Sequence, residues 1–464
     1  MKNTDVLIIG SSAAGLATAM SGKNNYPDKE FTVIRKEDQV MVPCGIPYIF
    51  GSLESSDQNV LPADSKYDAL GIKYQVGEVE NIDRKNKVCT LSDGSQIGYQ
   101  KLVMATGSTP KVPGWLEGTD LENVFTMPKN KEVLDQIKQK LTGLDRVVVI
   151  GGGFIGVEFS DELNKSGKLV TIVEKLPHIL NLAFDKEFAE QAEQILSNRG
   201  VHVMNNCGVK AIKGKNGKVS YVELENGKQV EADAVVLSMG YEPNSKLADD
   251  SGLKLNDNGF ISTDEYMRTN DPNIIAVGDC AEKRHFITRQ QSGVMLASTA
   301  CAEGRIAGMN LFKLSAIKTF SGTIAIYSTA VGDYAFGTAG ITEADARAEG
   351  FDVVSGSFEG MDKHPGKLPG MHKQRVKLIV ARESGIIIGG EAFGGVSVGE
   401  LTNLLGFIIQ SRTSVHTLLI SQIGTQPLLT GSPAAYPLMK AAEIAAQNIK
   451  VEQAKEVEAT ASTK

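Results

Sequence analysis

"RVVVIGGGFIGVEFSDEL", Arg146 to Leu163, decides the fold. Val147 to Ile150 is an uninterrupted apolar run, the mark of a strand buried on both faces. Gly151, Gly153 and Gly156 follow at G-x-G-x-x-G spacing and lead into a helix. A strand, a glycine turn and a helix N-terminus form an anion site, because free N–H groups and the helix dipole face a phosphate. The glycines serve the turn, the approach of a pyrophosphate and close helix–strand packing. The spacing alone also occurs at ordinary tight turns. The strand "KLVTIVEK" strengthens it: Glu174 closes the strand eighteen residues beyond Gly156, where a carboxylate can bind a ribose hydroxyl. Lys175 stands beside it.

The same grammar appears once more, in "DVLIIGSSAAGLATAM", Asp5 to Met20. Val6 to Ile9 is the strand and Gly10 and Gly15 frame the turn, with Ser12 in the middle glycine's place and Ala13 after it. About twenty residues past Gly15 stands Arg35, in "FTVIRKED", rather than an acid. Arg35 fits a 2′-phosphate, a face for adenine, or a solvated surface charge; Glu37 is nearby. "YQKLVMATGSTPKVPG" and "DPNIIAVGDCAE" are further apolar strands, ending at Ala105, Thr106 and Gly107 and at Gly278 and Asp279. Each could be an ordinary strand end. Beside two dinucleotide turns they mark cofactor contacts.

From about Gly322 the character changes. "GTIAIYSTAVGDYAFGTAG" and "QRVKLIVARESGIIIGGEAFGG" are β-branched runs followed by the apolar helix "ELTNLLGFIIQSRTS", predicting an antiparallel sheet with helices. After Ile449, "KVEQAKEVEATASTK" is polar and small, which predicts a frayed or disordered tail over 450–464.

Composition sets the outer limits. The 464 residues, 42% hydrophobic with 48 glycines, suit two or three domains. A net charge of −7 without blocks of like charge argues against a nucleic-acid partner. No apolar run reaches the ~18–20 residues of a membrane span, and the first residues lack a signal peptide's layout, so a cytoplasmic location is expected. Five scattered cysteines and six scattered histidines give neither a disulfide scaffold nor metal-ligand spacing, so no metal centre is expected. The chemistry is left to an organic cofactor or a nucleophile. In "VMVPCGIPYIFG", Val40 to Gly51, Cys44 sits between Pro43, which fixes φ, and Gly45, which admits a close neighbour. That setting suits a presented thiol, although lone cysteines are commonly inert.

"GSSAAG", "CGIPY", "ATGSTP", "GGGFIGVE", "GYEPN" and "AVGD", in this order, resemble the flavin-dependent pyridine nucleotide–disulfide oxidoreductases. The resemblance is to their single-cysteine branch, which contains coenzyme A-disulfide reductases, NADH:polysulfide reductases, NADH oxidases and NADH peroxidases. It implies an α/β fold with two Rossmann-like dinucleotide-binding domains and a C-terminal α+β dimerisation domain. FAD would take residues 1–112 and 247–320, NAD(P)H 113–246, and the dimer interface 321–449. FAD would lie on Gly10, Ser12, Ala13, Gly15, Arg35, Pro43, Val79, Ala105, Thr106, Gly107, Gly278, Asp279 and Ala297. NAD(P)H would lie on Gly151, Gly153, Ile155, Gly156, Glu174, Lys175 and Gly240. Phe154 stands where the family has an aromatic gate, though it also fits a helix-packing aromatic, and Glu158 where the family has a carboxylate near that gate. Cys44 would be the redox cysteine, with Tyr48 and, from the interface domain, His364 and Thr425 near the substrate.

The departures narrow the expected activity. No second thiol stands five residues from Cys44, and a C-terminal His-Pro motif is missing. Ala13 replaces the histidine that the oxidases and peroxidases place in the first turn. "DKHPGKLPG" and "IGTQPLL" replace the interface tyrosines of the coenzyme A-disulfide members. Lys363, His364, Lys367 and Lys373 could meet an anionic substrate or form a solvated surface. The expected function is reduction of a small disulfide, polysulfide or persulfide by NAD(P)H, with NADH preferred because Glu174 repels a 2′-phosphate. The partner expected is a small sulfur compound, in a homodimer. The alternatives are an oxidase or peroxidase, or an electron-transfer or redox-sensing module with a protein partner.

Overall fold

The computed structural model describes residues 1–462. Its first sheet is built around the strand Lys2–Ile9, flanked in parallel by Phe31–Arg35 and Gln96–Met104. Lys73–Val76 and Ile274–Ala276 add parallel neighbours, and Val79–Asp83 and Val88–Leu91 complete seven strands in an antiparallel excursion. Val6, Leu7 and Ile8 are wholly buried, which explains why the strand reads as one apolar run. The helices Ala13–Asn25 and Ala297–Asn310 pack together on this sheet through small residues: a Cβ on Gly304 would lie 2.7 Å from the Ala14 carbonyl oxygen.

The second sheet is parallel throughout, in the order His202–Met204, Leu169–Val173, Arg146–Ile150, Ala234–Leu237, Val124–Thr126. A three-stranded antiparallel layer, Val209–Lys215, Lys218–Leu224 and Gln229–Glu231, shares a core with it through Val148, Ile150, Val222 and Val235. Ser108–Pro110 and Tyr241–Pro243 pair antiparallel where the chain passes between the two sheets. Both parallel sheets thus carry a glycine turn at the C-terminal end of a central strand, the place where open α/β sheets bind ligands.

The third sheet is antiparallel, in the order Tyr327–Val331, Tyr334–Gly340, Ile387–Gly394, Lys373–Ala381, Val353–Met361. Helices Val398–Gln410 and Pro437–Ser462 cover it. Leu401, Leu405 and Ile409 face that core, whereas the apolar side chains of Phe407, Val396, Ile420 and Leu429 stay exposed. A buried cluster ties this sheet to the second. The Asp185 carboxylate accepts from the Glu343 and Ala344 N–H groups and from Lys377 Nζ at 2.8 Å. Asp185, Glu187 and Glu391 bring carboxylate oxygens within 4.8 Å of one another, and Lys377 supplies the compensating cation.

The tail differs from expectation. Helix Pro437–Ser462 continues past Ile449 through the stretch read as frayed. That stretch lacks Gly and Pro, is rich in Ala, Glu and Lys, and carries a Lys455–Glu452 pair at 2.7 Å. Residues 463 and 464 lie outside the described residues. Among the described residues, no helix is long and apolar enough to cross a membrane.

Candidate active site

One cleft of about 1220 Å³ is walled by the first turn, the second turn and the strand Tyr327–Val331. It gathers most of the residues singled out from the sequence. From the first half come Gly10, Ser12, Ala13, Arg35, Pro43, Cys44, Ala105, Thr106, Gly107, Gly278, Asp279 and Ala297; from the second, Gly151, Gly153, Phe154, Ile155, Glu158, Glu174, Lys175 and Gly240. Gly15 and Gly156 lie directly behind: a Cβ on either would strike the carbonyl oxygen of Gly10 or Gly151. Three groups fall elsewhere. Val79 packs in the core with Ile82 and Leu91. Tyr48 is half-buried behind the Cys44 loop and does not line the cleft. His364 and Thr425 sit in the C-terminal lobe, where the His364 N–H donates to the Pro427 carbonyl at 3.1 Å and its Nδ1 lies 2.9 Å from the Thr430 carbonyl.

Both turns fit a dinucleotide. Gly151 has φ +106°, and a Cβ there would hit the Ser238 carbonyl, so strand and turn close only around glycine. Gly153 is different: it caps the helix Phe154–Lys165, its φ of −72° suits any residue, and no atom lies within 4 Å of where its Cβ would be. The space a side chain would fill is open, at a helix N-terminus whose free N–H groups suit an anion. Glu174 faces the same turn, accepting from the Gly152 N–H at 2.6 Å and the Leu176 N–H at 2.7 Å. Arg35 is not the solvated charge that one reading allowed. It is 5% exposed, paired with Asp64, bonded to the Asp38 carbonyl at 2.7 Å and stacked over Tyr74.

Cys44 is exposed to the cleft. The room at Gly45 serves a different neighbour from a ligand: a Cβ there would collide with Asn59 Oδ1, and Asn59 Nδ2 donates to the Val42 carbonyl at 3.0 Å. No helix starts at the thiol. Pro43–Gly45 and Pro47–Phe50 are single 3₁₀ turns, too short for an appreciable dipole. Burial at the floor of the cleft pushes the Cys44 thiol above its ordinary pKa and the Glu158 charge adds to this, while Lys129 pulls it down. The scaffold presents this thiol while disfavouring its thiolate.

Helix Phe154–Lys165 connects the nucleotide turn to that loop. Phe154 stacks on Tyr327 with ring centroids 4.9 Å apart and planes 11° apart. Glu158 Oε1 accepts from Thr329 Oγ1 at 2.8 Å. Burial pushes the Glu158 carboxyl up to about 7 against the pull of that bond. Glu162 accepts from the Ser52 N–H at 2.5 Å and from Ser52 Oγ at 2.9 Å, and Phe159 packs on Phe50 at 4.6 Å. On the other wall, Asp279 Oδ2 accepts from Lys129 Nζ at 2.8 Å and Ser108 Oγ at 2.7 Å. Burial raises the Asp279 carboxyl, but Lys129 and Ser108 outweigh it and hold the group below the usual range. Ser108 belongs to the "ATGSTP" motif, whereas Lys129, Tyr327 and Thr329 lie in none of the six.

A prediction follows from Glu158. Glu158→Gln removes the negative charge that acts most strongly on the thiol, so Cys44 should react several-fold faster with iodoacetamide near pH 8. Below the carboxyl's midpoint the wild type is itself neutral there, and the two rates should converge. Equal rates at pH 8 contradict the coupling.

Residues 4–304 match the pyridine nucleotide-disulphide oxidoreductase family, and residues 326–435 match the dimerisation domain of that family. An NADH oxidase of Enterococcus faecalis is 31% identical over 432 residues, spanning 91% of this chain and 95% of that protein. An NAD(P)H coenzyme A polysulfide/persulfide reductase of Pyrococcus horikoshii is 32% identical over 355 residues, spanning 75% and 78%. The structure of an NAD-dependent persulfide reductase from A. fulgidus superposes with a TM-score of 0.88 at 30% identity, covering 96% of this chain and 83% of that one. With two glycine turns on one cleft and family matches along most of its length, the chain belongs to the pyridine nucleotide-disulphide oxidoreductases as an NAD(P)H-dependent flavoprotein oxidoreductase.

Proposed function

We propose that the protein reduces a small persulfide, polysulfide or disulfide with NADH, through Cys44. The observation that carries this reading is an exposed thiol, Cys44, in the cleft that both glycine turns, Glu158, Lys129 and Asp279 also line. The first turn, Thr106–Gly107, Asp279 and Ala297 would hold FAD, with Arg35 and Pro43 along its length. The second turn with Ile155, Glu174, Lys175 and Gly240 would hold the nicotinamide cofactor. When bound, FAD supplies the redox chemistry, passing an electron pair from the nicotinamide to sulfur.

The chain's own residues do the rest. Cys44 first gives up its proton to solvent in the cleft; the thiolate Sγ then bonds to one sulfur of the substrate's S–S bond as that bond breaks. The departing sulfur needs a proton, and Glu158 can hold one beside it near neutral pH. Glu162 and Asn59 fix the loop so that Sγ keeps its aim. The stacked Phe154 and Tyr327 rings cover this part of the cleft, so Phe154 must turn aside for a nicotinamide to enter. In a homodimer covering Phe407 and Val396, the loops of His364 and Thr425 would serve the other chain's cleft.

Anaerobic assay of purified, FAD-loaded protein with NADH and polysulfide tests the reading, hydrosulfide release being the expected result. The similarity to the E. faecalis NADH oxidase favours a second reading, oxygen reduction. NADH consumption that depends on oxygen and ignores polysulfide would establish that reading instead.

NADH should be preferred over NADPH by roughly tenfold or more in kcat/KM, because Glu174 is locked toward the turn and repels a 2′-phosphate. Lys175, exposed and 4.0 Å from Glu225, softens the repulsion without removing it. A clear advantage for NADPH refutes the assignment of Glu174.

A further inference from the structure

Gly278, the residue before Asp279, is held through both of its backbone polar groups. Its N–H donates to Glu303 Oε2 at 2.7 Å, and its carbonyl accepts from Lys283 Nζ at 3.0 Å. The same ammonium donates to the Ala281 carbonyl at 2.8 Å and lies 5.6 Å from the centre of the Phe260 ring. Glu303 comes from the helix Ala297–Asn310, whose first turn lines the cleft; Lys283 comes from the segment beyond the Gly278 turn. Lys283 is 3% exposed and Glu303 fully buried.

The pair is costly and incompletely matched. Lys283 Nζ is 3.8 Å from Glu303 Oε1, beyond hydrogen-bonding distance, and that oxygen has no hydrogen-bond partner. Burial pushes the Glu303 carboxyl up to about 7 against the pull of Lys283 and the Gly278 N–H, and Asp279 is the other charge acting on it. Apolar residues of the same volume would stabilise such a site as well or better, so stability alone does not account for two buried charges. What the two share is the Gly278 peptide, and through it the position of Asp279.

We propose that Lys283 and Glu303 are positioning residues that clamp the Gly278–Asp279 turn, and that their opposed charges set the electrostatic potential felt by a flavin bound in the cleft. This rests on the reading that the cleft holds FAD.

The test is the midpoint potential of the bound flavin, measured spectroelectrochemically at about pH 8.5, where Glu303 is ionised. In Glu303→Gln the amide oxygen still accepts from Gly278, and the Lys283 charge loses its counterpart. Flavin content should stay near that of the wild type while the potential moves positive. Lys283→Met should move it negative. Should that variant fail to fold with a lone buried carboxylate, the double variant Lys283→Met/Glu303→Gln carries neither charge and should lie negative of Glu303→Gln and close to wild type. Unmoved potentials in flavin-loaded Glu303→Gln, or a double variant that matches it, overturn the clamp. A wild-type protein that cannot be loaded with FAD instead removes the reading beneath it.

Discussion

Cys44→Ser should lose polysulfide and disulfide reduction by roughly a thousandfold or more while still taking up FAD and reacting with NADH. The hydroxyl of serine is not ionised near neutral pH and cannot form or release an S–S bond. The fold has little reason to respond. Cys44 is exposed, its loop is held by Asn59 and by the Glu162–Ser52 contacts, and Pro43 and Gly45 are unchanged. The two glycine turns and Asp279 keep their partners, so NADH should still bleach the flavin absorbance at close to the wild-type rate. Oxygen consumption that bypasses the thiol should also survive. Steady-state assays on both acceptors separate these outcomes, and full sulfur reduction by the serine variant would make Cys44 a bystander.

Gly153→Val should weaken NADH binding by about a hundredfold and leave stability nearly untouched. The backbone at Gly153 is extended and accepts valine, and a Cβ added there meets no atom within 4 Å beyond its chain neighbours. It projects into the space assigned to the pyrophosphate. The melting temperature should therefore shift by less than about 2 °C, and flavin content should not fall. Gly156→Val is the contrast, since its side chain collides with the Gly151 carbonyl and should cost folding as well as binding. A Gly153→Val protein with wild-type kcat/KM for NADH would place the nucleotide elsewhere.

The two parallel sheets were legible because strands buried on both faces must be apolar throughout, and each glycine turn followed directly from its strand. Glu174 was legible for the same reason: its distance along the chain is set by one helix and one strand. Arg35 was not, because the carboxylate that locks it, Asp64, lies on a separate helix. Gly45 was read as admitting a close neighbour, but that the neighbour is the Asn59 side chain is a contact no local pattern announces. Glu158–Thr329 and Lys129–Asp279 join residues 171 and 150 positions apart, and a contact between single polar side chains so distant along the chain leaves no periodic trace. The tail shows the limit of composition. Its polarity was read as fraying, whereas a sequence free of Gly and Pro has the helix propensity to continue to Ser462.

The most direct test of Cys44 as the sulfur carrier is the mass of its peptide after anaerobic exposure to polysulfide, before and after NADH. The account predicts one or more added sulfur atoms on Cys44, lost when NADH is supplied to the FAD-loaded protein. A Cys44 peptide that stays unmodified while polysulfide is being reduced would contradict it.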